Sequence, residues 1–245
     1  MARNTYGLDL GSYEIKVYDK KQDTIWKEKN VLAVQDKKEI IAIGEDAYQM
    51  YEKTPPDIEV AFPMRDGVIS RFNDMQNLLQ NILKKNRHFS RGAEYVIAVP
   101  TDVTEVQKKA FFDLVIHSNA KAREVNIVER SIADAVGLGI DVQNTTGVMI
   151  INFGGETTEL SVLTEGGIVF NRLLKLGGTT LDQEIVNLVR NSHDFLIGSR
   201  TAEILRQQFD VFNGDSETAF SVAGRDLITG LPMRKTISIT LVRAA

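Results

Sequence analysis

Two glycine turns carry the residue types best suited to phosphate chemistry. The first lies within Gly7-Leu8-Asp9-Leu10-Gly11-Ser12, and the second within Ile151-Asn152-Phe153-Gly154-Gly155-Glu156-Thr157-Thr158. Each turn follows one apolar strand pattern and leads into another. Because glycine adopts positive φ and has no side chain, such a turn can direct backbone N–H groups at phosphate oxygens. Each turn alone is typical of an ordinary hairpin, and the repetition in both halves of the chain is what indicates a polyphosphate site.

The composition excludes several classes of protein. The chain has 245 residues, 43% of them apolar, enough for one large or two smaller domains. Its 29 basic and 33 acidic side chains are mixed and give a net charge of −4, which argues against nucleic acid as the main partner. Without cysteine there is no disulfide or thiolate metal site. No signal-peptide pattern or membrane-spanning stretch occurs, so we expect a cytoplasmic protein.

Short strands and helices alternate around the two turns. Strand patterns lie at 5–9, 14–19, 24–27, 31–35, 39–43, 94–99, 125–128, 160–163, 168–176, 218–222 and 236–242. Helical patterns lie at 44–51, 72–86, 104–117, 131–136, 181–191 and 199–208. Thr104 and Gln107 predict a capping box at the start of the third helix. This alternation is typical of an α/β protein.

Further motifs follow one another in order along the chain. They are Met64-Arg65-Asp66-Gly67-Val68-Ile69, Val99-Pro100 with Val103-Thr104-Glu105-Val106, Ala122-Arg123-Glu124-Val125, Leu196-Ile197-Gly198 with Thr201-Ala202-Glu203, and Gly224-Arg225-Asp226-Leu227 with Thr229-Gly230-Leu231-Pro232. Together with the two turns, this set resembles the MreB family of rod-shape-determining bacterial actins, within the superfamily of actin, heat-shock chaperone ATPases and sugar kinases. The resemblance covers nearly the whole chain.

The resemblance implies an actin-like α/β ATPase fold with two ribonuclease-H-like domains. The first domain is expected at residues 1–140, with a small inserted subdomain at about 31–65, and the second at 141–245. Members of the family continue beyond the position of Ala245 with a glycine-rich adenine motif. The second domain is therefore expected to be incomplete.

The resemblance also implies ATP with Mg²⁺ as the ligand. The nucleotide-binding residues would be Asp9, Gly11, Ser12, Tyr13, Glu14 and Lys16 at the first turn, Gly154, Gly155, Glu156, Thr157 and Thr158 at the second, and Gly178, Glu203, Ile204, Leu205 and Arg206 beside the ribose and base. Asp9 and Asn152 would be associated with the metal through water. For Lys16, a solvated strand lysine is an equal alternative. For Glu203 and Arg206, one helical turn apart, the equal alternative is an exposed ion pair.

Three departures from the family pattern argue against ordinary hydrolysis. Asn152 stands where the family has a metal-associated Asp, and Glu156 replaces the third glycine of that turn, placing negative charge near a γ-phosphate. Arg130, after Glu129, stands at the position of the family's catalytic Glu, and arginine cannot act as a base although it can bind a phosphate. We therefore expect ATP hydrolysis to be weak or absent, and we do not expect ordinary enzymatic turnover.

Three functions remain open at this point. The first is an actin-like cytoskeletal protein of cell shape that self-associates or joins a longer MreB-type filament. The second is an active chaperone-like ATPase on the same fold, and the third is a non-functional or scaffolding fragment. Phe89, beside Arg87, His88 and Arg91, is a weak candidate for contact with the inner-membrane surface. The scattered residues His88, His117 and His193 are not expected to bind a metal.

Overall fold

The structure is a computed structural model and describes residues 4–85, 92–208 and 219–242. Phe89 and His88 lie outside the described residues. The chain divides into two compact units, Met1–Lys175 and Leu176–Ala245. This division reflects which parts of the chain pack together. The domain boundary at residue 140 is what the family resemblance implies, and it stays a prediction.

The first unit holds most of the strands. Its elements, in chain order, are β1 (Thr5–Leu10), β2 (Glu14–Asp19), β3 (Thr24–Lys29), β4 (Leu32–Gln35), β5 (Glu39–Ile43), α1 (Glu45–Met50), β6 (Ile58–Ala61), β7 (Met64–Arg65), β8 (Val68–Ile69), α2 (Phe72–Lys85), β9 (Glu94–Val99), α3 (Glu105–Ile116), β10 (Glu124–Glu129), α4 (Arg130–Gly137), β11 (Val148–Phe153), β12 (Thr158–Thr164) and β13 (Gly167–Leu174).

A five-stranded mixed sheet forms the centre of this unit, in the order β10-β9-β1-β2-β3. Strand β1 pairs antiparallel with β2 and parallel with β9, which in turn pairs parallel with β10. Alternate residues of β1 are buried, namely Tyr6, Leu8 and Leu10, as the two-residue period of a strand requires. The parallel pairing of β9 and β10 places their carboxyl ends at one edge, where β1 also ends.

Helices α2 and α3 belong to the core of this unit. On α2 the side chains of Met75, Leu78, Leu79 and Ile82 recur at helical spacing and are buried in one cluster with those of the strands. Thr104 caps α3 with the predicted capping box, in which its side chain accepts from Gln107 N. The capping box defines the start of α3, and buried side chains of this helix join the core between β9 and β10.

Among the described residues, three smaller sheets complete the first unit, the last of them a two-stranded pair of β7 and β8. Strands β5-β4-β6 form one sheet, and α1 packs on it through Ala47 and Tyr48 beside Ala33. Strands β11-β12-β13 form an antiparallel meander, with Ile150 and Leu163 packed against Ala135 of α4. The first of these sheets lies within the segment where an inserted subdomain is expected.

The second unit is described by itself. It contains α5 (Gly178–His193), β14 (Phe195–Leu196), α6 (Ser199–Gln208), β15 (Ala219–Asp226), β16 (Pro232–Ser238) and α7 (Ile239–Val242). The three strands form a sheet in the order β14-β15-β16. Its core joins Val189 of α5, Leu205 of α6 and Ile237 of β16.

The prediction of a strand at 236–242 was wrong for its last residues. Strand β16 ends at Ser238, and Ile239–Val242 is helical. Ser238 Oγ accepts from Thr240 N at 3.3 Å, a typical N-cap contact. The neighbours Leu241 and Val242 both pack against the core of this unit, which a strand with alternating sides does not allow.

Candidate functional site

The turn between β1 and β2 is closed by one backbone hydrogen bond and held by a second bond from a side chain. Gly11 N donates to Glu14 O at 3.1 Å, and the carbonyl of Gly11 accepts from Asn30 Nδ2 at 2.7 Å. A Cβ on Gly11 would lie 2.8 Å from Glu14 O, closer than a Cβ atom approaches a backbone oxygen. The absence of a side chain is therefore what allows this turn to close.

The turn between β11 and β12 has the same construction. Gly154 N donates to Thr157 O at 2.8 Å, and a Cβ on Gly154 would lie 2.9 Å from that oxygen. The next glycine packs on the first turn, since a Cβ on Gly155 would lie 2.5 Å from Cβ of Tyr13. The two turns are thus in direct contact.

Both turns line one cavity of about 250 Å³. It is lined by Asp9, Gly11, Ser12, Tyr13, Glu14, Lys16, Gly67, Arg130, Asn152, Phe153, Gly154, Gly155, Glu156 and Thr157. Gly67 and Phe153 were not among the predicted site residues. Of the predicted residues in this unit, Thr158 is buried in β12, and Glu129 lines a separate depression with Ile132 and Ile140.

A third segment, the turn between β7 and β8, holds the two glycine turns together. Gly67 N donates to Ser12 Oγ at 3.0 Å, and Asp66 N donates to Glu156 Oε2 at 2.7 Å. Both turn residues have positive φ, 51° at Asp66 and 80° at Gly67. The Asp66-Gly67 pair is the local signal for this turn, since an Asp-Gly pair is typical of a tight turn between two strands.

The carboxylate of Glu156 is engaged by this third turn. Besides the bond from Asp66 N, its Oε1 lies 3.5 Å from a guanidinium nitrogen of Arg65. The side chain of Glu156 is 16% exposed. The negative charge expected beside a phosphate is therefore paired with a cation and a backbone N–H group.

Two cationic side chains flank Asp9 inside the cavity. Arg130 Nη2 lies 3.5 Å from Asp9 Oδ1, and Lys16 Nζ lies 3.1 Å from Asp9 Oδ2. Arg130 is the first residue of α4, which follows β10 directly, so the parallel sheet brings its side chain to the end of β1. Its side chain is only 11% exposed.

Asn152 is bound to a carboxylate that sequence analysis missed. Its Nδ2 donates to Asp134 Oδ2 at 2.7 Å. Burial raises the pKa of Asp134, against the opposing effects of the Asn152 bond and the charge of Arg130. One feature of the sequence could have indicated Asp134: it is four residues after Arg130, so both side chains lie on the same face of α4.

These residues do not fit a hydrated Mg²⁺ ion. Each carboxylate oxygen of Asp9 faces a cationic side chain, and the amide of Asn152 donates to Asp134. Among the described residues, no group of three or more His, Cys, Asp or Glu side chains is placed to hold a metal. Magnesium in nucleotide sites is usually held through one or two carboxylates and phosphate oxygens, and here the carboxylate of Asp9 is already paired with two cations.

The other predicted nucleotide residues belong to the second unit. Arg206 Nε donates to Asp182 Oδ1 at 2.7 Å, and its Nη2 lies 3.2 Å from where a Cβ on Gly178 would be. Burial raises the pKa of Asp182, and its bond with Arg206 opposes this shift. Glu203 is buried rather than exposed, and its carboxylate accepts from Gln207.

The last two predicted residues of α6 differ in exposure. Leu205 is in the core of the second unit, whereas Ile204 is half exposed. Of these two residues, Ile204 is the one whose side chain is accessible, and its direct contact with a nucleotide stays a prediction.

The fold and the paired glycine turns define an actin-like α/β protein. The family model described as MreB/Mbl protein matches residues 3–245, and the chain belongs to this family. It is 34% identical to the cell shape-determining protein MreB of Escherichia coli (strain K12) over 247 residues, which cover 97% of this chain and 71% of that protein.

Solved structures give the same result. MreB5 of Spiroplasma citri bound to ADP matches with a TM-score of 0.90 and 31% identity, over 99% of this chain and 74% of that one. The same protein bound to AMPPNP matches with a TM-score of 0.89 over 100% of this chain and 74% of that one. The MamK double helical filament, at 20% identity and a TM-score of 0.74, matches in fold over 98% of this chain and 73% of that one. Within the described ranges, no helix has the length and apolar character needed to cross a membrane.

Proposed function

We propose that this chain is an actin-like cytoskeletal protein that acts in cell-shape determination and binds an adenine nucleotide through its two glycine turns. The observation that carries the proposal is the direct contact of the turns, where Gly155 packs on Tyr13 beside one cavity. Turns closed by Gly11 and Gly154 are suited to present backbone N–H groups to phosphate oxygens. The related MreB5 was solved with ADP and with AMPPNP, which supports this class of ligand.

Self-association into filaments is the second part of the proposal. Actin-like proteins of this family join head to tail, and such a heterologous contact produces an open filament when its rotation does not close. The inserted subdomain at about 31–65 would supply one contact face, and the domain at 141–245 the opposite one. The protein would act in the cytoplasm, at or near the membrane surface.

The Gly155→Ala variant tests the nucleotide site. The added Cβ would overlap with Tyr13 and force the turns apart, so AMPPNP affinity in the presence of Mg²⁺ should fall about tenfold. Gly137→Ala is the matched control, because a Cβ there meets nothing within 4 Å. Isothermal titration calorimetry measures both. Equal affinity of the Gly155→Ala variant and the unmodified chain would refute the site.

The proposed role in cell-shape determination is tested by measuring the shape of cells that lack the protein. Depleting the protein in its host should change cell width or length, and the Gly137→Ala variant should restore it while Gly155→Ala does not. Unchanged cells after depletion would count against the cytoskeletal role.

A further inference from the structure

The cavity holds fixed positive charge beside both glycine turns. Arg130 and Lys16 each carry one charge, and together they equal the charge of one divalent cation. Asp9, whose oxygens they approach at 3.5 and 3.1 Å, is the carboxylate expected to order a metal's waters. We propose that this cavity binds the polyphosphate chain of its nucleotide without a divalent metal, with Arg130 and Lys16 supplying the positive charge. This inference rests on the proposed nucleotide binding.

Arg130 has unused capacity for an anion. A guanidinium has five N–H donors in a planar fork that matches two phosphate oxygens. Within the described part of the chain, its hydrogen bonding consists of the single 3.5 Å contact with Asp9. A side chain that is 11% exposed, charged and so weakly bonded is suited to a stronger partner.

The acidic groups of the cavity are already occupied. Asp9 faces two cations, Glu156 is bound by Asp66 N and Arg65, and Glu14 has Lys27 at 4.0 Å. Asn152 has no charge and donates its amide to Asp134. A metal that binds Asp9 in this cavity would have to displace Arg130 or Lys16 from its carboxylate oxygens.

The arrangement predicts an unusual sign for one substitution. In a metal-dependent site, removing the carboxylate of Asp9 weakens nucleotide binding. In this cavity Asp9 competes with phosphate for Arg130 and Lys16, so Asp9→Asn should release both cations to the nucleotide. We expect the Asp9→Asn variant to bind AMPPNP about threefold to tenfold more tightly than the unmodified chain.

Calorimetric titration of the whole chain with AMPPNP, in Mg²⁺ and in excess EDTA, tests the proposal. The expected dissociation constants differ by less than about twofold between the two conditions. Arg130→Gln should weaken binding about tenfold in EDTA, and the exposed Arg123→Gln serves as the matched control with no change. Circular dichroism of each variant separates a lost contact from a lost fold.

The double variant Arg130→Glu, Asn152→Asp restores the family's acidic residues at both positions. It should bind AMPPNP only when Mg²⁺ is present, which shows that the metal requirement follows these two residues. Binding by the unmodified chain that disappears in EDTA, or weaker binding by Asp9→Asn, would overturn the inference and leave the proposed nucleotide function intact. No binding in either condition would overturn both.

Discussion

Asn152 Nδ2 donates to Asp134 Oδ2 at 2.7 Å, so the amide at the position where the family resemblance implies an acidic residue is bound to a carboxylate of α4. The negative charge beside this part of the second turn is supplied by the neighbouring helix. Arg130, one helical turn earlier on α4, lies close enough to lower the pKa of that carboxylate. Two of the three departures predicted from the sequence, Asn152 and Arg130, therefore meet at Asp134, whereas Glu156 is bound by Asp66 N and Arg65.

Asp134 should make the stability of the fold depend on pH. Burial raises its folded-state pKa above the ordinary 3.8, so the folded state holds this proton more tightly than the unfolded state. The stabilisation from protonation is present at low pH and lost as the pH rises through the raised pKa. Asp134→Asn removes this loss, so the unfolding free energy of the variant should increase relative to that of the unmodified chain as the pH rises above the ordinary pKa of 3.8.

Urea denaturation at several pH values measures this difference. Asp102→Asn, on an exposed bend, is the matched control. If the difference in unfolding free energy between Asp134→Asn and the unmodified chain does not change with pH, the buried carboxylate has no such effect.

The ion pair of Asp182 and Arg206 should stabilise the second unit. The side chains are 10% and 30% exposed and share two hydrogen bonds, of 2.7 and 3.3 Å. Arg206→Met leaves the buried carboxylate of Asp182 without this cation and should cost about 2 kcal/mol of unfolding free energy. Arg190→Met, on the exposed side of α5, should cost little by comparison. If both variants lose the same stability, the pair has no special role.

Asn30 should hold the first glycine turn closed. It is fully buried, and its Nδ2 is the partner of the Gly11 carbonyl. Asn30→Ala leaves that carbonyl without this donor and should lower the unfolding free energy by about 1–3 kcal/mol, with weaker AMPPNP binding. The exposed Asn126→Ala is the control. Thermal unfolding and calorimetry measure the two effects, and a neutral Asn30→Ala would remove this residue from the account.

ATP turnover should be undetectable for the unmodified chain. Arg130 cannot act as a base, and losing one charge-placing group commonly costs about 10²-fold in rate. Arg130→Glu, Asn152→Asp and Glu156→Gly together should recover phosphate release. Malachite-green measurement of phosphate provides the assay. Turnover by the unmodified chain that Asp9→Ala abolishes would contradict this expectation.

Much of the fold could be predicted from local patterns. The strand at Glu14–Asp19 and the helix at Ser199–Gln208 have the predicted bounds, because alternation and helical spacing are properties of adjacent residues. The two-residue strands β7, β8 and β14 are too short to carry such a pattern. The end of β16 was wrong because burial of two neighbouring side chains is decided by the core of the second unit.

The site was harder to predict than the fold. The glycines and Asp9 follow from turn chemistry, and the sequence places Arg130 at the position of the family's catalytic Glu. The partners Asp134, Asn30 and Asp66 act across the fold, and no spacing in the sequence brings Asp134 to Asn152 or Asp66 to Glu156. Such contacts are products of tertiary packing.

The most direct test of the account is an experimental structure of the chain with AMPPNP. The predicted result places the phosphates between the Gly11–Ser12 turn and the Gly154–Thr157 turn, with Arg130 within hydrogen-bonding distance of a phosphate oxygen. Phosphates bound elsewhere on the chain, or an Arg130 side chain that remains on Asp9 and does not contact the nucleotide, would contradict it.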